Sequence, residues 1–214
     1  GGGQFSDAAT RTSQRDSYAS MSWGAGFADF DNDGWKDIYV VNGHLYPQVD
    51  RLRNPMGYKQ TDLFYRNLGG GRFRSESAVL RHSPHVGRGA AFGDLDNDGR
   101  VDIVISNLDD RPNVLMNERN SGNPWLMVRA LSRHGGRDAI GARVTVTTEA
   151  GKQVGEVRGG CSYLSSNDPR VHFGMGSARR AKEVRVRWPG GSETVLPDVA
   201  AGQILTVNEP GGSF

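Results

Sequence analysis

The sequence predicts an all-β protein made of two dissimilar parts, and three observations carry that expectation. The apolar runs are short, rich in β-branched residues and bounded by Gly, Asn and Asp, as in Ile38-Tyr39-Val40-Val41 and Ile103-Val104-Ile105. No stretch keeps an apolar face at helical spacing. An acidic nine-residue segment occurs twice, 65 residues apart, and then stops before Asn123. Past that point, apolar and polar residues alternate strictly.

The two acidic segments are Asp29-Phe30-Asp31-Asn32-Asp33-Gly34-Trp35-Lys36-Asp37 and Asp94-Leu95-Asp96-Asn97-Asp98-Gly99-Arg100-Val101-Asp102. Four carboxylates within nine residues repel one another unless a cation lies among them. Hard oxygen donors on a flexible loop suit calcium rather than zinc or copper. The predicted ligands are the carboxylates of Asp29, Asp31, Asp33 and Asp37, and of Asp94, Asp96, Asp98 and Asp102. The backbone carbonyls of Trp35 and Arg100 join them, which makes two calcium ions in all. The glycine at the sixth position permits the sharp turn. An EF-hand would need Glu at position twelve and flanking helices, but Val40 and Ile105 stand there. Small residues and a Phe precede each loop, at Gly24 to Ala28 and Gly89 to Gly93, so each loop is expected to join two strands.

The repeat extends further. Gly1-Gly2-Gly3-Gln4-Phe5 recurs as Gly69-Gly70-Gly71-Arg72-Phe73, and Leu63-Phe64-Tyr65-Arg66-Asn67 has a weaker echo in Val114-Leu115-Met116-Asn117. A period near 65, filled by four short strands, predicts propeller-type blades. The segment from about residue 1 to 120 resembles FG-GAP repeats, also called VCBS repeats, the calcium-loop blades of integrin-α-like propellers. Two blades cannot close a ring. The region 1–122 is therefore expected to be an incomplete propeller, either a piece of a longer protein or one completed by a partner's blades.

Residues 123–214 are expected to form a small β-sandwich or barrel. The strands predicted there are Trp125 to Ala130, Ala142 to Thr147, Gln153 to Val157, Glu183 to Trp188 and Ile204 to Val207, each alternating as a sheet with one buried face does. Four strings, Ile140-Gly141-Ala142-Arg143-Val144, Tyr163-Leu164-Ser165-Ser166-Asn167, His172-Phe173-Gly174-Met175-Gly176 and Val186-Arg187-Trp188-Pro189-Gly190-Gly191, are similar to the ASPIC/UnbV domain. That domain follows FG-GAP repeats in secreted proteins related to cartilage acidic protein, and the order here matches.

The net charge of +2 hides a division, with acids in excess before residue 123 and bases in excess after it. Of 26 basic residues, 22 are arginines scattered along alternating strands, and no basic stripe with interleaved aromatics marks a nucleic-acid binder. No apolar run is long enough to span a membrane. A single cysteine excludes an internal disulfide, so calcium takes the part of a staple, which fits an extracytoplasmic setting: secreted, cell-surface or periplasmic. Cys161 is expected to be a small buried residue. His82-Ser83-Pro84-His85 has a spacing a metal could use, but no companion Cys or third His lies nearby in sequence. His172 is expected to be structural, and no hydrolase, protease or nucleotide-binding motif occurs.

These readings predict a non-enzymatic extracellular calcium-binding module, its blades stiffened for contact with a protein partner or a second copy of itself. The alternative is a carbohydrate-binding or carbohydrate-processing protein. It rests on Trp23, Trp35, Trp125 and Trp188 as glycan platforms, although packing accounts for most such residues. Trp35, beside the loop glycine, is the best of the four.

Overall fold

The computed structural model of the protein describes residues 15–52, 56–133 and 135–211. The repeat half at Gly1 to Phe5 and His134 lie outside them. Four strands, β1 (Ser22–Ala28), β2 (Asp37–Asn42), β3 (Leu63–Asn67) and β4 (Phe73–Ser75), pair in chain order as one antiparallel sheet. A second sheet repeats the plan with β5 (Gly87–Gly93), β6 (Asp102–Asn107) and β7 (Asn113–Leu115). The two hairpins share their register: Phe27 faces Ile38 as Phe92 faces Ile103, and each first strand is irregular at the same place, between Ser22 and Ala25 and between Gly87 and Ala90. A bulge repeated at equivalent positions belongs to the design of the unit.

One apolar core serves both sheets. Phe30, Tyr39, Val41 and Phe64 of the first pack with Ala90, Phe92, Ile103 and Ile105 of the second. Ring edges meet ring faces there, with Phe30 and Phe64 centroids 5.5 Å apart and Tyr39 and Phe92 6.2 Å apart. Burying each such side chain contributes about 1.5–3 kcal/mol, so neither sheet has a complete core without the other.

The remaining strands are β8 (Trp125–Leu131), β9 (Arg143–Thr148), β10 (Gly151–Glu156), β11 (Val171–Gly174), β12 (Arg180–Arg187), β13 (Glu193–Ala200) and β14 (Gln203–Asn208). They form two sheets, β10-β9-β12-β13 and β11-β8-β14, packed face to face as a sandwich. Alternation puts Val144 and Val146 of β9, and Val184 and Val186 of β12, against Leu126, Val128 and Phe173 of the other sheet, with Trp188 closing one end. The all-β expectation holds, and the described residues contain no α-helix. Sequence patterning missed β13 because Pro197 interrupts it. Pro197 is tolerated because β13 is an edge strand, paired only with β12. It also missed β11, which is four residues long, and the parallel pairing of β14 with β8.

Candidate metal centres at the junction of blades and sandwich

The two acidic loops connect β1 to β2 and β5 to β6, and they are near copies of each other. Asp29 accepts the Asp33 and Gly34 N–H groups at 3.1 and 2.8 Å, and Asp94 accepts those of Asp98 and Gly99 at the same distances. Asp33 and Asp98 each accept the N–H two residues on, from Trp35 and Arg100, at 2.8 Å. Gly34 and Gly99 have φ of +94° and +83°, in the left-handed region as the turn requires. Asn32 and Asn97 are left-handed too, at +58° and +63°, a role Asn tolerates better than most residues.

Asp37 and Asp102 have a second task. Asp37 accepts the N–H of Phe30 at 3.2 Å and of Asn67 at 2.8 Å, while Asp102 accepts those of Leu95 at 2.9 Å and Asn117 at 2.8 Å. The weak echo between the Asn67 and Asn117 segments is thus a real equivalence, since each asparagine ties the third strand of its sheet to its own loop.

Ligand atoms of Asp29, Asp31 and Asp33 gather within 4.8 Å of one another, as do those of Asp94, Asp96 and Asp102. Asp37 and Asp98 are not part of these innermost groups. Asp31 is 2% exposed, and its Oδ1 has neither a hydrogen bond nor an ion pair. The guanidinium of Arg66 lies against the Asp31 carboxylate, and that of Arg119 is 3.4 Å away. One unpartnered oxygen among clustered, buried carboxylates is what a hard divalent cation requires, so the residues present fit calcium. Without a cation, burial pushes Asp29 and Asp37 up to about 7, with neighbouring carboxylates adding to the shift. Burial likewise raises Asp33 and Asp94.

Both loops are covered by the sandwich. The carbonyl of Gly99 accepts the His172 Nε2–H at 3.1 Å, and the Trp125 indole lies directly over Gly99. Arg170 donates to the Asp94 carbonyl at 2.7 Å and to Asn97 Oδ1 at 2.5 Å. On the first loop, Gly176 N–H reaches the Asn32 carbonyl at 2.8 Å, and Asn123 Nδ2 reaches that of Asp31 at 2.9 Å. Gly174 is pressed so closely that a β-carbon there would stand 1.9 Å from Asp29 Oδ2. Asn167 and Asp168 bond the Phe92 backbone on both sides, at 3.1 and 3.0 Å, and Ser162 Oγ accepts the Ala25 N–H at 3.0 Å. Two of the strings that resemble ASPIC/UnbV, Tyr163 to Asn167 and His172 to Gly176, therefore supply contacts to the blades. A cleft of about 1020 Å³ runs along this junction, with Lys36, Arg143, Arg158 and Arg187 among its walls and Asp29 and Asp94 also lining it.

The other singled-out residues fall into place. His172 is structural; burial lowers it to about 4, so it stays neutral and donates to Gly99. Trp188 belongs to the sandwich core and donates to Thr194 at 2.9 Å. Trp23 bonds the Gly43 carbonyl at 2.8 Å and stacks under Arg88 and beside Tyr163. Only Trp35 of the four is exposed. Cys161 corrects the sequence reading: it is exposed, because it sits in the loop that folds over the blades and not in a strand. His82 and His85 do have a companion, Asp62, with all three ligand atoms within 4.8 Å. Asp62 is 20 residues from His82, so no local spacing could have revealed it.

Fold and junction together define a class of chain, in which blades with acidic loops are followed by a sandwich docked on those loops. Family models agree in that order: one described as an FG-GAP-like repeat matches residues 56–105, and one described as ASPIC and UnbV matches residues 132–214. Among curated proteins, the chain is similar to cartilage acidic protein 1 of Homo sapiens, 29% identical over 187 residues, covering 85% of this chain. It is similar to that of Xenopus tropicalis at 29% over 185 residues (84% of the chain), and to that of Mus musculus at 28% over 187 residues (85%). The chain spans 27% of the length of each of these relatives.

Proposed function

We propose that the chain is a non-enzymatic, extracytoplasmic interaction module. Calcium at two loops locks the blades (residues 1–122) to the sandwich (residues 123–214) and so presents one rigid surface to a protein partner. One observation carries the reading: both acidic loops lie under the sandwich and supply the backbone carbonyls on which it docks. Asp29, Asp31, Asp33 and the Trp35 carbonyl would hold one ion with Asp37, and Asp94, Asp96, Asp98, the Arg100 carbonyl and Asp102 the other. Bound calcium neutralises the carboxylates and fixes the loop backbone that His172, Arg170, Asn123 and Gly176 engage. Similarity to cartilage acidic protein 1 and the FG-GAP-like match support an extracellular setting, where calcium is plentiful enough for loops of modest affinity.

The test is small-angle scattering and limited proteolysis with calcium and with chelator. The reading expects a compact particle with calcium, and expansion with new cleavage between residues 117 and 125 on chelation. Identical profiles would sink it. Sedimentation in the same two buffers tells self-association from binding of a different partner. A second reading, glycan binding, is favoured by one observation: Trp35 is 54% exposed on the rim of the first loop. A glycan array whose signal is unchanged by Trp35→Ala removes it.

A further inference from the structure

We propose that Asp62, His82 and His85 form a site for a divalent transition ion of the zinc class, separate in place and in chemistry from the acidic loops. Asp62 immediately precedes β3, while His82 and His85 lie in the connector that leads into β5. The site is at the Asn42 end of β2, and the first acidic loop is at the Asp37 end. Five residues at about 3.3 Å each put roughly 17 Å of strand between them.

Hydrogen-bond accounting makes the case. Nδ1 of His82 and Nδ1 of His85 both lie 3.3 Å from the Ser83 carbonyl oxygen, which can only accept, so each ring places its proton there. That leaves the two Nε2 atoms turned toward Asp62. His82 Nε2 is 3.5 Å from Asp62 Oδ2, and His85 Nε2 is 3.2 Å from Oδ1. His85 Nε2 has no aligned hydrogen-bond partner despite being buried. The side chains of Asp62, His82 and His85 are 0%, 8% and 5% exposed, so the two imidazole edges and the carboxylate meet away from water. Protons on the two Nε2 atoms, or a single metal ion in their place, offset the buried carboxylate.

The ligand types select the kind of cation. Tetrahedral metal bonds of about 2.0–2.2 Å place ligand atoms about 3.3–3.6 Å apart; each imidazole stands 3.2 or 3.5 Å from its own oxygen of Asp62, and one ligand atom from each of the three residues lies within 4.8 Å of the others. Imidazole nitrogens suit zinc and its neighbours, whereas calcium takes oxygen. The outer partners are those a metal site needs to hold its ligands in orientation. The Asp62 carboxylate accepts Tyr39 O–H at 2.8 Å and Asn42 N–H at 3.0 Å, and the Ser83 carbonyl orients both rings. His85 and Gln60 exchange backbone hydrogen bonds at 2.8 and 3.1 Å, fixing the ring beside Asp62. The Tyr39 hydroxyl also lies 3.4 Å from His82 Nε2, and a water would supply the fourth ligand. A bound ion clips the connector between the blades to the first sheet.

The experiment strips the chain with chelator, restores calcium to saturation, and titrates zinc chloride by calorimetry, with cobalt(II) as a spectroscopic stand-in. The expected result is one zinc per chain and cobalt absorption bands of a four-coordinate nitrogen–oxygen site. His82→Ala, at the outer edge of the cluster, and Asp62→Asn should each weaken zinc at least a hundredfold. Asp31→Asn should lose calcium and keep zinc, which separates this proposal from the reading of the loops. Absence of zinc binding at micromolar concentration by the unsubstituted chain overturns the proposal. Zinc bound undiminished by both His82→Ala and Asp62→Asn overturns it as well.

Discussion

Replacing Gly99 by alanine tests the docking of the sandwich on the second loop more directly than any change of charge. A β-carbon at Gly99 would stand 1.8 Å from Trp125 Cε2 and 1.9 Å from its Nε1, about half of an ordinary contact distance. The residue also keeps φ at +83°, which costs an L side chain about 1–2 kcal/mol. Overpacking against a seated ring adds about 1–3 kcal/mol, so the expected loss is about 2–5 kcal/mol. For a chain of this size each kcal/mol lowers Tm by about 2–4 °C, giving a fall on the order of 10 °C. Gly71→Ala is the control: its φ is +74°, but nothing lies within 4 Å of the added methyl, so only the backbone cost applies. Calorimetry with calcium should show Gly99→Ala falling well below Gly71→Ala. Adding Trp125→Ala to Gly99→Ala should recover part of the difference, because the overlap is then gone. Equal Tm losses for Gly99→Ala and Gly71→Ala would falsify the seating of the indole on the loop.

Asp31→Asn should abolish the calcium-induced rise in Tm that belongs to the first loop, about 2.7 kcal/mol at a hundredfold excess over Kd, as seen by scanning calorimetry with and without chelator. Arg66→Gln removes the cation that stands against Asp31, so calcium affinity at that loop should rise several-fold in a calorimetric titration. With Asp29 and Asp37 raised to about 7, the calcium-free fold favours their protonated forms. These two groups should therefore lower its stability as pH climbs from about 4 through about 7, and calcium should restore it. Calcium binding at pH 7 should accordingly release on the order of one proton per chain, falling toward zero by pH 9, measured as a buffer-dependent heat. His172 has the opposite sign: lowered to about 4, it withdraws stability as pH falls from about 6.5 through about 4. His172→Gln should flatten that acid limb of the Tm profile.

The loops were legible because their chemistry is local. Nine consecutive residues hold the carboxylates, the left-handed glycine and the following strand, and a second copy repeats them. Even Asn67 and Asn117 left a trace, since each must reach back to the same aspartate. What escaped depends on parts of the chain that meet only in three dimensions. Nothing near His172 says that Gly99 will present a carbonyl to it, and nothing near Gly174 says that Asp29 will leave no room for a methyl. Asp62 reads as an ordinary pre-strand acid until the connector brings two imidazoles against it. Cys161 was misjudged for a related reason: a lone cysteine among small residues looks like core, but its loop serves as a lid on neighbouring strands. The edge strand β13 was hidden by Pro197, which patterning treats as a break and an unpaired edge accommodates.

The backbone contacts at Phe92 have a consequence of another kind. β5 lies at the margin of its sheet, and its Phe92 N–H and C=O are taken by Asn167 and Asp168. The sandwich is therefore also a guard against lateral growth, because an open β margin invites any extended peptide to add itself as a new strand. A chain whose sandwich has lifted away would offer that margin to its neighbours. Aggregation during purification in chelating buffers would then reflect a lost edge guard, with both cores still intact.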